Sequence, residues 1–318
     1  MAVTDAFALQ AAQSVLALAL APLVTGVVRK TKARLQLRRG ASIFQPYRDL
    51  ARLLRKESVL AHNASWLFDQ APAVIFTFTW VAASLIPVLG TETFLASAAD
   101  LIAIVGLLAS ARFVLALAGL DVGTSFGGIG ASREVMIASV AEPAMLMLIF
   151  ALALIAGSTH LAAIAAFVQS PAVGLRVSLG LGLIGLIMVA IAENGRIPID
   201  NPATHLELTM VHEAMVLEYS GRHLALIELA SSLKLLFYLS LIAVVFLPWG
   251  ADIQWGGAPP QVAQLLVYLV KIFGLAFLLG LFEVSIAKMR VFRAPQFLGA
   301  ALMLTLLAVL LRLVSRSF

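Results

Sequence analysis

Long apolar runs separated by short polar segments dominate this chain. Runs at 6–28, 69–89, 99–119, 135–157, 174–193, 224–248, 262–286 and 294–315 are mostly apolar. Each is close to the roughly 20 residues that cross a hydrocarbon core of about 30 Å as an α-helix. The pattern predicts eight spanning helices, forming a single polytopic membrane domain over 1–318 with no separate soluble domain. The first run is expected to be retained. Its leader MAVTD has no positive charge, and Arg29, Lys30, Lys32 and Arg34 follow it, the reverse of a signal peptide.

Between the first two runs the period changes. From Ile43, the apolar residues Phe44, Tyr47, Leu50, Ala51 and Leu54 recur at helical spacing, while Arg48, Arg52, Arg55 and Lys56 fall on another face. This predicts a basic amphipathic helix lying in the membrane interface, either as a surface anchor or as a gate beside an internal cavity. The expected fold is therefore an all-α integral membrane protein, a bundle of about eight transmembrane helices plus this interfacial helix. The stretch LDVGTSFGGIGASRE at 120–134 reads as a flexible connector. No GK[ST] follows its glycines, so it is not a phosphate loop.

Composition narrows the function. The chain is 61% hydrophobic and 12% charged. Lys and Arg concentrate in 29–68, 120–134, 194–223 and 287–293, which places those segments on the cytoplasmic side and both termini outside. The net charge of +5 belongs to these anchors, and no nucleic-acid partner is expected. There is no cysteine to hold an iron–sulfur cluster. None of the five histidines lies deep in a run facing another, which argues against a transmembrane haem. Any redox chemistry is expected on other chains, with no cofactor in this one.

Ionisable side chains inside spans are costly and turn toward a bundle interior or a wet cavity. Arg112, Glu142, Glu228, Lys234, Lys271 and Glu283 stand within the runs, with Glu134 and Glu193 at run ends. The acids gather in the inner half of the membrane, Lys234 stands near mid-span, and Lys271 lies toward the outer side. Static pairs, such as Arg112 or Lys234 with a facing Glu, are one reading. A relay of buried carboxylates is the other, and the excess of acids over bases in one zone favours it.

The densest polar segment, 192–222, reads AENGRIPIDNPATHLELTMVHEAMVLEYSGR. Its spacing predicts a helix over about 202–219, with Glu207 and Glu218 on one face and His205 and His212 on another. HEAMV lacks the second histidine of H-E-x-x-H, so no metal is expected. Charge mixed with Ile197, Ile199, Met215 and Leu217 suits an acidic docking surface over 194–223. Arg196, Asp200, His205, His212 and Arg222 are its candidate contacts.

AENGRIPID and the later LEYSG at 217–221 resemble the first membrane subunit of respiratory complex I and its relatives in membrane-bound, energy-converting [NiFe]-hydrogenases. A GxxxxQPxxDxxxLLxKE pattern on Gly40, Gln45, Pro46, Asp49, Leu53, Leu54, Lys56 and Glu57 extends the resemblance to nearly the whole chain. The segment NPATHLELTMVHEAMVLEYSGRHLALIE is similar to the hydrogenase branch, of formate hydrogenlyase and hydrogenase-4 type. Ile199 stands where the quinone-using branch has Phe, and Asn201 to His205 replace its LPExE run. The resemblance implies a non-catalytic subunit of an oxidoreductase complex in the cell inner membrane, with a soluble arm on the cytoplasmic side. Its implied partners are a hydrogenase large-subunit-like chain carrying the [NiFe] centre, iron–sulfur cluster subunits and antiporter-like membrane subunits. It also implies a carboxylate path over Glu134, Glu142, Glu193, Glu207, Glu213 and Glu218, to which the in-span residues Glu228, Lys234, Lys271 and Glu283 are added. A quinone-reactive complex I type subunit and a stand-alone proton or ion transporter are the alternatives.

Overall fold

A computed structural model describes residues 3–90, 93–169, 177–200, 210–250, 260–289 and 293–317. The described chain is all-α: α1 (Val3–Leu35), α2 (Gln45–Leu54), α3 (Trp66–Ser84), α4 (Leu101–Asp121), α5 (Ser125–Ala156), α6 (Leu161–Gln169), α7 (Val177–Glu193), α8 (His212–Val216), α9 (Gly221–Val245), α10 (Pro260–Ser285) and α11 (Ala294–Ser317). Helices α1, α3, α4, α5, α7, α9, α10 and α11 occupy the eight expected runs. Six of these, α1, α4, α5, α9, α10 and α11, are long and apolar enough to cross a membrane. Helix α3 carries Asp69 in its first turn, and α7 is 17 residues long as described, so both fall short of that measure.

Helix α9 is the axis of the bundle. In its most apolar stretch 72% of residues are buried, against 22% in α10 and 28% in α11, which are peripheral. A helix apolar on every side is stable only when surrounded, and α9 is packed by α1, α3, α6, α7 and α10. The core cluster to which α9 belongs also includes Val24, Ile86, Leu148 and Leu186, all fully or almost fully buried.

The amphipathic helix expected after the first run forms as α2. Pro46 occupies the first turn of α2, where its missing N–H costs nothing. Gln45 Nε2 donates to Asp49 Oδ1 at 2.9 Å, and the Tyr47 hydroxyl donates to the Ala19 carbonyl of α1. A Cβ on Gly26 would lie 2.0 Å from the Ile43 carbonyl oxygen, so α1 and the lead into α2 meet backbone to backbone.

Two expectations are corrected. The stretch 120–134 is not a connector: α4 ends at Asp121 and α5 starts at Ser125. Thr124 caps α5 by accepting the Gly127 N–H at 3.3 Å. Gly127 and Gly130 are packing positions, since a Cβ on Gly127 would stand 2.1 Å from the Gly119 carbonyl oxygen and one on Gly130 2.9 Å from the Val211 carbonyl oxygen. Close helix contact of this kind is what small residues permit inside a membrane. Nor is 202–219 one helix. Residues 201–209, with His205 and Glu207, lie outside the described residues, and α8 spans only His212–Val216. The chain turns after α8 because Tyr219 stacks on Phe68 at 4.0 Å and donates to its carbonyl at 3.1 Å. Gly221 then takes φ +53°, where a side chain would also strike the Glu57 carbonyl.

One end of the bundle collects the charged segments. Ser220 Oγ bonds both the N–H and the carbonyl of Val59, Asn63 Nδ2 donates to Val122 O, and Met289 N donates to Pro198 O. The opposite end is tied by Gln10 and Gln13, which both donate to the Ser84 carbonyl, and by the Asp100–His160 bridge.

Candidate functional site

Toward the charged end, α4, α5, α7 and α9 each turn an ionisable group inward. Arg112 of α4 is the hub. Its Nη1 donates to Glu193 Oε1 at the end of α7, and its Nη2 meets Glu142 Oε1 of α5 at 2.5 Å. Lys234 of α9 holds the other Glu193 oxygen at 3.0 Å. The Arg112 and Glu193 side chains are 7% and 5% exposed, whereas Glu142 is 41% exposed. Glu134, one helical face along α5, is buried and makes no ion pair among the described residues. Both readings of the in-span charges therefore have a basis: static pairs exist, and one carboxyl stands beside them without a cation of its own.

Arg112, Glu134, Glu193 and Lys234 line a cavity of about 50 Å³ together with Thr79, Asn194 and Ser231. Its lining is mixed, and these polar side chains give a space of that size partners for a water. Arg112 Nε is buried without a hydrogen-bond partner among the described residues. Beyond it lies a vestibule of about 580 Å³ at the charged end, lined by Thr25, Arg29, Lys32, Arg196, Glu213 and Glu228 among others.

The structure sorts the remaining expected residues. Glu283 of α10 is fully buried in a separate triad, 2.6 Å from Lys32 and 3.3 Å from Arg196, which clamps α1 and the segment after α7 to α10. Asp200 pairs with Lys288 at 3.1 Å and accepts the Val211 N–H at 3.2 Å. Arg196 and Asp200 thus serve internal scaffolding. Glu218 and Arg222 are exposed, and Glu228 is exposed at the vestibule. Lys271 stands apart from the cluster. Its Nζ donates to the Leu247 carbonyl beyond the far end of α9 at 2.6 Å and lies 5.9 Å from the Trp249 ring centre.

His212 and Glu213 begin α8 on the inner side of the polar segment. His212 lines the buried cavity and the vestibule alike. Burial and the nearby Lys234 charge hold its imidazole down at about 4, against the opposing pull of Asp200. It is therefore neutral near pH 7. Sequence reasoning did not identify Arg112 as the hub. The available signal was its position as the only charge in the interior of an otherwise apolar run.

The sequence profile of the NADH dehydrogenase family matches residues 8–314. Formate hydrogenlyase subunit 4 of Escherichia coli (strain K12) is 34% identical over 284 residues, covering 89% of this chain and 91% of its own. Hydrogenase-4 component C of the same organism is 36% identical over 281 residues, covering 88% and 87%. NADH-quinone oxidoreductase subunit 8 of Rhodothermus marinus is 27% identical over 214 residues, covering 65% and 61%. A chain of the membrane-bound sulfane sulfur reductase, an archaeal respiratory membrane complex, has the same fold, with TM-score 0.81, 20% identity and coverage of 97% and 99%. With a profile match over nearly its whole length and two relatives above 30% identity, this multi-pass membrane chain belongs to the NADH dehydrogenase family, that of the first membrane subunit of complex I.

Proposed function

We propose that this chain anchors the soluble redox arm of an energy-converting [NiFe]-hydrogenase or formate-hydrogenlyase-like complex and relays protons through its buried carboxylates. It is a membrane subunit of a complex I-like respiratory complex of the hydrogenase-4 and formate hydrogenlyase type. The observation that carries the proton role is the imbalance in the cluster around Arg112: among the described residues it holds three carboxylates, of which Glu134 and Glu193 are buried and Glu142 is part-exposed, and two cations. Arg112 and Lys234 engage Glu142 and Glu193, and Glu134 is left over. A lone ionised carboxylate in such a place is expensive, so Glu134 carries a proton at rest. It gives that proton up when the charge around Arg112 changes.

Glu142 supports a membrane neighbour. It stands 17 residues beyond Ser125, about 26 Å along α5 at 1.5 Å per residue. A charge that is 41% exposed halfway along a spanning helix needs a polar cover, and an antiporter-like subunit against α5 supplies one. The [NiFe] centre and clusters belong on partner subunits, because this chain has no cysteine. The arm docks at the cytoplasmic charged end, where Glu218 and Arg222 remain exposed. The quinone alternative loses support at the vestibule, whose wall carries Arg29, Lys32, Arg38, Glu213 and Glu228 and suits water and ions.

The test is purification of the complex through a tag on this chain, followed by identification of its subunits and measurement of protons moved per redox turnover. A hydrogenase large-subunit-type protein and a cluster protein should co-purify. Glu134→Gln should leave that assembly intact and reduce proton movement by about tenfold or more, the scale on which removing a proton-transfer group acts. An unchanged proton ratio removes Glu134 from the path, and isolation of the chain without such partners rejects the complex.

A further inference from the structure

The vestibule of about 580 Å³ and the cavity of about 50 Å³ adjoin, and Asn194, Gly195, Asp200, His212, Ile227 and Ser231 line both. Only Asp200 and His212 among them ionise. Asp200 is committed, with one oxygen on Lys288 at 3.1 Å and the other accepting the Val211 N–H at 3.2 Å. His212 opens α8 beside Glu213, which lines the vestibule. On the other side, Glu134 and Lys234 line the cavity that the imidazole also touches.

Resting on the proton-coupling reading above, we propose that His212 is the residue that passes protons across this junction, between the cytoplasmic vestibule and the carboxylate cluster. One ring nitrogen accepts a proton from vestibule water, itself supplied through Glu213 or Glu228. The other nitrogen releases its proton to water in the cavity, and from there to Glu134. Rotation of the ring restores the starting tautomer. One proton has crossed, the ring is neutral before and after, and only N–H and O–H bonds have been made and broken. Such a relay needs a resting imidazole with one donor and one acceptor nitrogen. Burial, and Lys234 facing it from α9, keep the ring in that form, with a value of about 4 despite the neighbouring Asp200. This role differs from the docking role expected from the sequence.

The experiment compares the wild-type complex in inside-out membrane vesicles with complexes carrying His212→Gln and His212→Ala. Redox turnover and proton uptake are recorded together, with and without added imidazole. Both variants are expected to assemble and to lose proton uptake per turnover by about tenfold or more. Imidazole should restore uptake in His212→Ala, where the missing ring leaves room for it, and leave His212→Gln unrestored. Unchanged uptake in His212→Gln overturns the inference and leaves the coupling reading standing. Wild-type vesicles that take up no protons overturn both. Lost uptake in assembled His212→Ala that imidazole does not restore makes the residue structural and also overturns the inference. If His212→Ala fails to assemble, the outcome in His212→Gln decides alone.

Discussion

Arg112 concentrates the interior electrostatics on one guanidinium. Its planar fork reaches Glu142 and Glu193 at once, a geometry that a lysine does not reproduce. Arg112→Met should strand Glu193, which is only 5% exposed, beside Lys234 alone. The expected loss is about 3–5 kcal/mol, the scale for breaking a buried pair, read as lower abundance in the membrane and a lower unfolding midpoint in detergent. Glu142→Gln should cost far less, because Arg112 then keeps its bond to the nearly buried Glu193. An equal loss in both variants would show that the cluster does not centre on Arg112. His212 adds a pH signature. Its folded-state value lies below the ordinary 6.5, at about 4, so the unfolded chain binds the extra proton first as pH falls. This contribution to stability is complete above about 6.5 and is lost between there and 4. The detergent unfolding midpoint of the wild-type chain should fall relative to that of His212→Gln across that interval, and parallel curves would contradict a depressed imidazole.

At the scale of elements, the contact between α4 and α5 sets the site. Gly127 touches the Gly119 carbonyl closely enough that any side chain must push the helices apart. Those two helices carry Arg112, Glu134 and Glu142. Gly127→Val should therefore lower both the yield of inserted chain and its unfolding midpoint, whereas Gly128→Val, with open space around its Cβ position, should not. Similar losses from both changes would argue against the packing role. The same contact shows where sequence reading fell short. Gly and Ser at 124–130 look like chain breakers under rules drawn from water, but in a bundle they let backbones approach. The long apolar runs were legible because length and hydropathy decide a spanning helix with little help from tertiary contacts. The polar segment was harder to read. Helical spacing favoured one helix over 202–219, and the stacking of Tyr219 on Phe68 with the turn at Gly221 limits α8 to five residues. The in-span charges were legible as residues, but their partners were not, since pairing depends on which helices are neighbours.

For the whole molecule, orientation follows from the basic segments gathered at one end. Reporter fusions at Gly40 and Gly195 should read cytoplasmic, and one at Gly256 should read from the opposite side. An opposite signal at Gly195 would invert the arrangement. The interior is also strongly asymmetric along its axis. From Leu235 to Val245, α9 offers only Tyr238 and Ser240 as polar side chains, and the Ser240 hydroxyl is engaged with the Leu236 carbonyl at 2.7 Å and the Tyr268 hydroxyl at 2.6 Å. Phe237, Leu241 and Val245 are buried around them. Along this stretch α9 offers no carboxylate, imidazole or amine to carry a proton away from the cluster. The purified chain alone in vesicles should therefore leave proton permeability at that of protein-free lipid, whereas a measurable leak would revive a stand-alone transporter. A central helix whose outer half carries no charged side chain means that a cell can insert this chain before its partners arrive, or keep it after they are lost, without opening a leak in the membrane.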